Sequence, residues 1–167
     1  MNFKLIKRNS LSWLWLSFII IIVDLFTKYL VVQGFDLYES VNVLPFFNLT
    51  YVRNYGAAFS FLADHSGWQK YFFLGLAIVI SIALIVMLFK NKAELKLQNS
   101  AYALIIGGAI GNAVDRAYNG YVVDFLDFYW DIYHYPVFNI ADIGIVVGAG
   151  LLILESILEH RKSKKSN

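Results

Sequence analysis

Residues 72–89, FFLGLAIVISIALIVMLF, form a run of eighteen residues that contains no charged side chain. A helix of that length extends about 27 Å, which is close to the thickness of the hydrocarbon core of a bilayer. The whole chain is apolar too, with 59% hydrophobic and 16% charged residues, whereas soluble domains average about 45–50% and 25%. The sequence therefore predicts an integral membrane protein.

Three other segments are long and apolar enough to cross a membrane. The four predicted spans cover residues 11–32, 68–89, 97–117 and 138–158, and the outer loops between them cover residues 33–67 and 118–137. The first apolar run continues to about Val32 without a small-residue cleavage site, so we interpret it as a retained span rather than a signal peptide. We predict an all-α membrane protein whose 167 residues form a single domain with four transmembrane helices.

The basic residues indicate how these spans are oriented. Ten of the fourteen Lys and Arg residues lie in the N-terminal tail, in the connector between spans two and three, or in the C-terminal tail: Lys4, Lys7, Arg8, Lys90, Lys92, Lys96, Arg161, Lys162, Lys164 and Lys165. An even number of spans places all three regions on one side, and the positive-inside rule makes that side cytoplasmic.

The first outer loop has the composition of strands rather than of a disordered segment. Residues 40–52, SVNVLPFFNLTYV, are rich in β-branched and aromatic residues and are interrupted by Pro45. We therefore expect a small extracytoplasmic β-sheet in this loop, lying at the membrane–water interface.

Several classes of function are excluded by composition. The net charge of +2 is too small to indicate a nucleic-acid partner, and the absence of cysteine excludes disulfides, thiolate catalysis and cysteine-based metal sites. No metal or other cofactor is expected.

Ionisable residues inside the spans call for an explanation, because each costs about 2.5–3.5 kcal/mol at the centre of a membrane helix. Asp24 and Lys28 are four residues apart and so share one face of the first span, either as a structural ion pair or as part of a site. Asn112 and Arg116 have the same spacing in the third span. The small residues Gly107, Gly108 and Gly111 beside them favour close helix packing.

Further polar residues lie at the outer ends of the spans. Asn54 and Gly56 precede the second span, and Asp124 lies between Val123 and Phe125 in the second outer loop, whereas Asp127 and Asp131 look like ordinary loop carboxylates. Asn139 is predicted to cap the fourth span, with Asp142 in its first turn, where the helix dipole favours an anion.

Asp124 and Asp142 are predicted to meet near the outer interface, where the third span ends and the fourth begins. Two carboxylates held close together titrate as a coupled pair that shares one proton. In such a pair one carboxylate activates water and the other polarises the scissile carbonyl, which is the arrangement of an aspartic protease. The same acids would also suit an ion relay in a small transporter or channel subunit, or a polar cluster in a non-enzymatic scaffold.

Five motifs in order resemble those of the signal peptidase II family, the lipoprotein signal peptidases of bacteria. They are DLFTKY (24–29), RNYGAAFS (53–60), GNAVDR (111–116), VVDF (122–125) and FNIAD (138–142). The resemblance covers essentially the whole chain and implies an aspartic-type endopeptidase of the inner membrane. Its catalytic pair falls on Asp124 and Asp142. Its supporting residues fall on Asp24, Lys28, Asn54, Gly56, Asn112, Arg116, Asn139 and Ala141.

The resemblance also implies the partners of the protein. The substrates would be prolipoproteins whose lipobox cysteine already carries diacylglycerol, and cleavage would occur just before that cysteine. The first outer loop would form a β-cradle resting on membrane lipids. Globomycin-like cyclic peptides would be inhibitors.

Overall fold

A computed structural model describes residues 10–56 and 67–166 of the chain. Four long helices account for most of these residues, and four short strands lie between them. In chain order the elements are a 3₁₀ turn (Ser10–Trp13), α1 (Leu14–Gly34), β1 (Ser40–Leu44), β2 (Phe47–Asn54), α2 (Trp68–Lys90), α3 (Lys96–Asn119), β3 (Val122–Trp130), β4 (Tyr133–His134) and α4 (Ile140–Ser166). The basic residues Lys4, Lys7 and Arg8, and residues 57–60 of the second motif, lie outside the described residues.

Three of the helices are long and apolar enough to cross a membrane. They span Ser10–Gly34, which includes the 3₁₀ turn, Trp68–Lys90 and Ile140–Lys164. Most of their side chains face outwards, which is the arrangement expected of helices surrounded by lipid. The chain is therefore a helical membrane protein, and α4 continues beyond the predicted span, which ended at residue 158, to Ser166.

Helix α3 lies at the centre of the bundle and packs against each of the other three helices. Its buried residues are mostly small or polar, among them Gly107, Gly108, Gly111, Asn112 and Asp115. Small residues allow helices to approach closely, and the surrounding helices shield the polar ones from lipid. With 24 residues, α3 is about 36 Å long, which is long enough for the predicted third span at residues 97–117.

The four strands form one antiparallel sheet in the order β1-β2-β3-β4. The prediction of a small sheet is confirmed, with Pro45 in the turn between β1 and β2. Its restriction to the first outer loop is wrong, because β3 and β4 come from residues 118–137. The central pair β2–β3 joins the two loops, and Val52 pairs with Asp124 across it.

One apolar cluster attaches this sheet to the helices. Val31 near the end of α1 packs against Tyr51, Val123 and Phe125 of the two central strands. The carbonyl of Phe138 accepts hydrogen bonds from the backbone of β3, just before α4 begins. The sheet is thus fixed to the ends of both α1 and α4, and its central strands lie beside the start of α4.

Candidate active site

Asp142 belongs to a reciprocal cap at the start of α4. Its backbone N–H donates to Asn139 Oδ1 at 2.9 Å, and the backbone N–H of Asn139 donates to Asp142 Oδ2 at 3.3 Å. Such a pair satisfies N–H groups that the first turn of a helix leaves free, and the helix dipole stabilises the anion there. The predicted cap is confirmed, and it leaves the carboxylate partly exposed to the cavity described below.

Asp124 lies on β3 and is only 2% exposed. Two side-chain amides donate to its carboxylate: Asn54 from β2 at 2.9 Å and Asn139 at 2.6 Å. Burial, and after it the nearby charge of Asp142, raise the pKa of Asp124 to about 7, although the two amide hydrogen bonds act in the opposite direction. Asp124 can therefore hold a proton near neutral pH.

Asn139 and Asn112 connect the two carboxylates. The amide group of Asn139 donates to Asp124 and also to Asn112 Oδ1, at 3.1 Å. The amide group of Asn112 then donates to Asp142 Oδ1 at 2.8 Å. Residues from β3, α3 and the start of α4 thus form one continuous hydrogen-bonded chain, which brings both predicted acids to a single site.

Arg116 lies one turn beyond Asn112 on α3. Its guanidinium donates to the carbonyl of Gly56 at 2.8 Å and lies 4.9 Å from the ring centre of Phe73 on α2. The backbone N–H of Gly56 in turn donates to Asn54 Oδ1 at 3.0 Å. Arg116 therefore holds the chain after β2 in place, and through it the amide that contacts Asp124.

Asp24 and Lys28 form the predicted ion pair, at 2.7 Å, and both side chains are almost fully buried. The ammonium of Lys28 lies 3.0 Å from Asp115 Oδ2 and donates to Asn112 Oδ1 at 2.9 Å. Asp24 Oδ1 accepts the backbone N–H of Ala141 at 2.8 Å. The sequence did not decide whether this pair on α1 is purely structural or part of the site. These contacts connect it to the site.

Two glycines of α3 permit these contacts. A Cβ at Gly111 would lie 2.7 Å from Asp24 Oδ2, and one at Gly108 would overlap the carbonyl of Ala141. Both positions exclude larger residues, since either Cβ would push α1 or the start of α4 away from α3.

A cavity of about 960 Å³ lies over the two carboxylates. Its polar lining includes Asp124, Asp142 and Arg116, and most of the lining is apolar. One apolar wall belongs to α4 and includes Val146 and Val147; others belong to the sheet and to the segment before α4. The cavity is suited to an extended apolar ligand that presents one polar group to the carboxylates.

The sequence did not predict the burial and contacts of two further carboxylates, Asp115 and Asp127. Asp115 is 5% exposed and contacts Lys28. Asp127, interpreted above as a loop residue, is 3% exposed in β3 and accepts hydrogen bonds from Asn48 and Thr50. Residues 122–130 are rich in β-branched and aromatic residues, and this composition could have indicated the strand from sequence.

Fold and site together define a polytopic membrane protein in which amides hold two carboxylates at one end of the helix bundle. Residues 16–158 match the family described as signal peptidase (SPase) II, and the chain belongs to this family.

Named relatives and solved structures agree with that assignment. A lipoprotein signal peptidase of Haemophilus influenzae is 72% identical over 156 residues, which cover 93% of this chain and 91% of the relative. One from Pasteurella multocida is 68% identical over 159 residues, covering 95% and 96%. A solved bacterial membrane enzyme shares 34% identity with a TM-score of 0.82, covering 93% of both chains. The transporter or channel alternative has no support in these comparisons.

Proposed function

We propose that this protein is an aspartic-type endopeptidase that cleaves signal peptides from diacylglyceryl-modified prolipoproteins, just before the lipid-bearing cysteine. Membership of the family supports the peptidase activity on lipoproteins. The observation that carries the catalytic assignment is that Asn139 contacts both Asp124 and Asp142 beneath one cavity.

The two carboxylates have different surroundings and so different roles. Asp142 is partly exposed and lines the cavity, where it can contact water, so it is the general base. Asp124 is buried, and its raised pKa of about 7 favours the protonated form, so it is the general acid. In other enzymes, too, different surroundings give two carboxyl groups different protonation states and therefore different roles.

The reaction then needs only water and the two acids. Asp142 removes a proton from water while the water oxygen attacks the carbonyl carbon of the scissile bond. Asp124 gives its proton to the carbonyl oxygen, and a tetrahedral diol forms. When the C–N bond breaks, the proton held by Asp142 passes to the leaving amine of the cysteine, and a diol proton returns to Asp124, so both acids regain their starting states.

Several further residues support the site. Asn54, Asn112 and Asn139 orient the carboxylates, whereas Gly56 and Arg116 fix the chain that carries Asn54. A lipid-modified peptide leaves a bilayer only at a cost of about 0.8 kcal/mol for each buried CH₂ group. A cavity with apolar walls next to lipid-facing helices allows such a substrate to remain in the membrane.

Membership of the family supports a bacterial inner-membrane location. The positions of the basic residues support an orientation with both termini in the cytoplasm and the carboxylates near the outer face. In this orientation the sheet contacts membrane lipids at the outer interface. Globomycin-like cyclic peptides would occupy the cavity over the carboxylates and compete with substrate.

The test is product identification with purified protein in lipid vesicles. A diacylglyceryl-modified precursor should be cut to a product whose N-terminal residue is the lipid-bearing cysteine, as read by mass spectrometry. The same precursor without lipid should be cut far more slowly, and a globomycin-like peptide should inhibit the reaction. Cleavage at another bond, or equal rates with and without lipid, would refute the proposal.

A further inference from the structure

The residue just before each of the two carboxylates has its backbone N–H bound by another buried acid. Val123 N–H, next to Asp124, donates to Asp115 Oδ2 at 3.1 Å. Ala141 N–H, next to Asp142, donates to Asp24 Oδ1 at 2.8 Å. Asp115 comes from α3 and Asp24 from α1, so two different helices make equivalent contacts on β3 and α4.

Lys28 joins these two contacts. Its ammonium, on a side chain 2% exposed, lies 2.7 Å from Asp24 Oδ2 and 3.0 Å from Asp115 Oδ2. It also donates to Asn112 Oδ1 at 2.9 Å, and Asn112 holds Asp142. Three side-chain oxygens therefore lie within 3.0 Å of this one ammonium, and Asn112 Oδ1 accepts a hydrogen bond from it. A single cation therefore lies between the supports of both carboxylates.

We propose that Lys28, Asp24 and Asp115 form a positioning cluster that sets the separation between the carboxylates of Asp124 and Asp142. This inference rests on the proposed function. It adds a role for Asp115, which is not among the site residues that the family resemblance implies. None of the three lines the cavity itself, so they act through the backbone and through Asn112, which does line it.

The rigidity of the cluster follows from burial. Charges that are almost fully buried interact strongly, and removing one partner leaves the others uncompensated. The site of Asp24 is also closed on one side by Gly111, so its carboxylate has little room to move. A shift of any member would move Val123, Ala141 or Asn112, and with it one of the two carboxylates.

The first test compares two buried aspartates of similar exposure. Asp115→Asn loses the charge that attracts Lys28. Asp127→Asn instead changes a carboxylate of β3 that lies outside the cluster and is hydrogen-bonded to Asn48, Thr50 and His134. We expect Asp115→Asn to lower kcat by up to about 100-fold, the size of effect that a misplaced catalytic group produces. KM should change by less than about threefold, because the cavity lining is intact. Asp127→Asn should keep kcat within about twofold of the wild type at a comparable loss of Tm.

The pH profile gives a readout that a merely structural role would not move. Among the described residues, the charged groups around the site are Lys28, Asp24, Asp115, Arg53 and Arg116, besides the two carboxylates. If Asp115→Asn separates Asp124 from Asp142, the repulsion between them weakens. The high-pH limb of kcat/KM should then move to lower pH, and Asp127→Asn should leave it in place.

A conservative variant covers the case in which Asp115→Asn does not accumulate. Asp115→Glu keeps the charge but adds one methylene, so it should lower kcat at least tenfold while Tm stays within a few degrees. Unchanged kcat and pH limb in the Asp115 variants, or equal changes in Asp127→Asn, would overturn the positioning role. A wild-type protein that fails to cleave the lipidated precursor would instead overturn the proposed function.

Discussion

Asp142 has two tasks at the start of α4, because the side chain that completes the helix cap also faces the cavity. Asn139 is its counterpart, since it caps the helix with its side-chain oxygen and contacts Asp124 with its side-chain nitrogen. Helix capping and the proposed catalysis therefore depend on the same two residues. A change at Asn139 should affect both.

The pKa of Asp124 predicts a pH limit for activity. Because this carboxyl group is raised to about 7, it loses its proton as the pH rises through neutrality. We expect kcat/KM for a lipidated precursor to fall above about pH 7, as the general acid is lost. Initial rates between pH 5.5 and 9 measure this limb. A rate that stays constant to pH 9 would contradict the assignment of Asp124 as the acid.

The same shift predicts how stability depends on pH. An aspartate normally titrates near 3.8, so between that pH and about 7 the folded protein binds more protons at Asp124 than the unfolded chain does. Stability should therefore fall as the pH rises through this window. Asp124→Asn lacks this loss, so its Tm relative to the wild type should increase from pH 4 to pH 7 and then level off. A constant Tm difference would show that Asp124 titrates normally.

Residues close in sequence were the predictable part of the site. The spacing of Asp24 from Lys28 and of Asn139 from Asp142 predicted their contacts, because four and three residues are short-range distances on a helix. Asp115 contacts Lys28 across 87 positions of the chain (115 minus 28). No local pattern contains that information, which depends on how α1 and α3 pack.

At the scale of elements, α3 differs from the other helices because its small and polar residues face inwards. Its glycines were predicted to serve packing, and the structure shows what each one approaches. Gly108 faces the backbone of Ala141, and Gly111 faces the carboxylate of Asp24. Close packing and the arrangement of polar groups are thus one property of this helix.

Alanine substitutions at glycines test this packing. Gly108→Ala and Gly111→Ala should each lower Tm and reduce cleavage, because a Cβ at either position overlaps a neighbouring group. Gly75→Ala on α2 and Gly150→Ala on α4 are matched controls, since a Cβ at either meets nothing within 4 Å. These should be neutral or stabilising by up to about 1 kcal/mol. Thermal unfolding in detergent measures all four, and equal Tm values would contradict the packing described.

The sheet shows where prediction by segment fails. Residues 40–52 were predicted as strands from composition, whereas residues 122–130 were placed in the second outer loop and Asp127 was interpreted as an ordinary loop carboxylate. In the structure both acids are accommodated within β3, Asp124 by amides and Asp127 by Asn48, Thr50 and His134. These hydrogen bonds offset the cost of burying a carboxylate within a strand.

At the scale of the whole molecule, the apolar helices predicted the class of protein correctly, and the motifs predicted its family. The orientation in the membrane is open to direct measurement, because the chain contains no cysteine. A single cysteine at Ile132, an exposed residue of the β3–β4 turn, should react with a membrane-impermeant maleimide in intact spheroplasts. A cysteine at Lys164 should react only after the membrane is opened. The reverse pattern would contradict the predicted orientation.

The central claim is that Asp124 and Asp142 together cleave the substrate. The most direct test is a gel-shift assay of a diacylglyceryl-modified precursor with purified wild type, Asp124→Asn and Asp142→Asn, each checked for an intact thermal transition. We predict that the wild type releases the signal peptide and that either folded variant shows no detectable cleavage. Wild-type rates in either variant would contradict the claim.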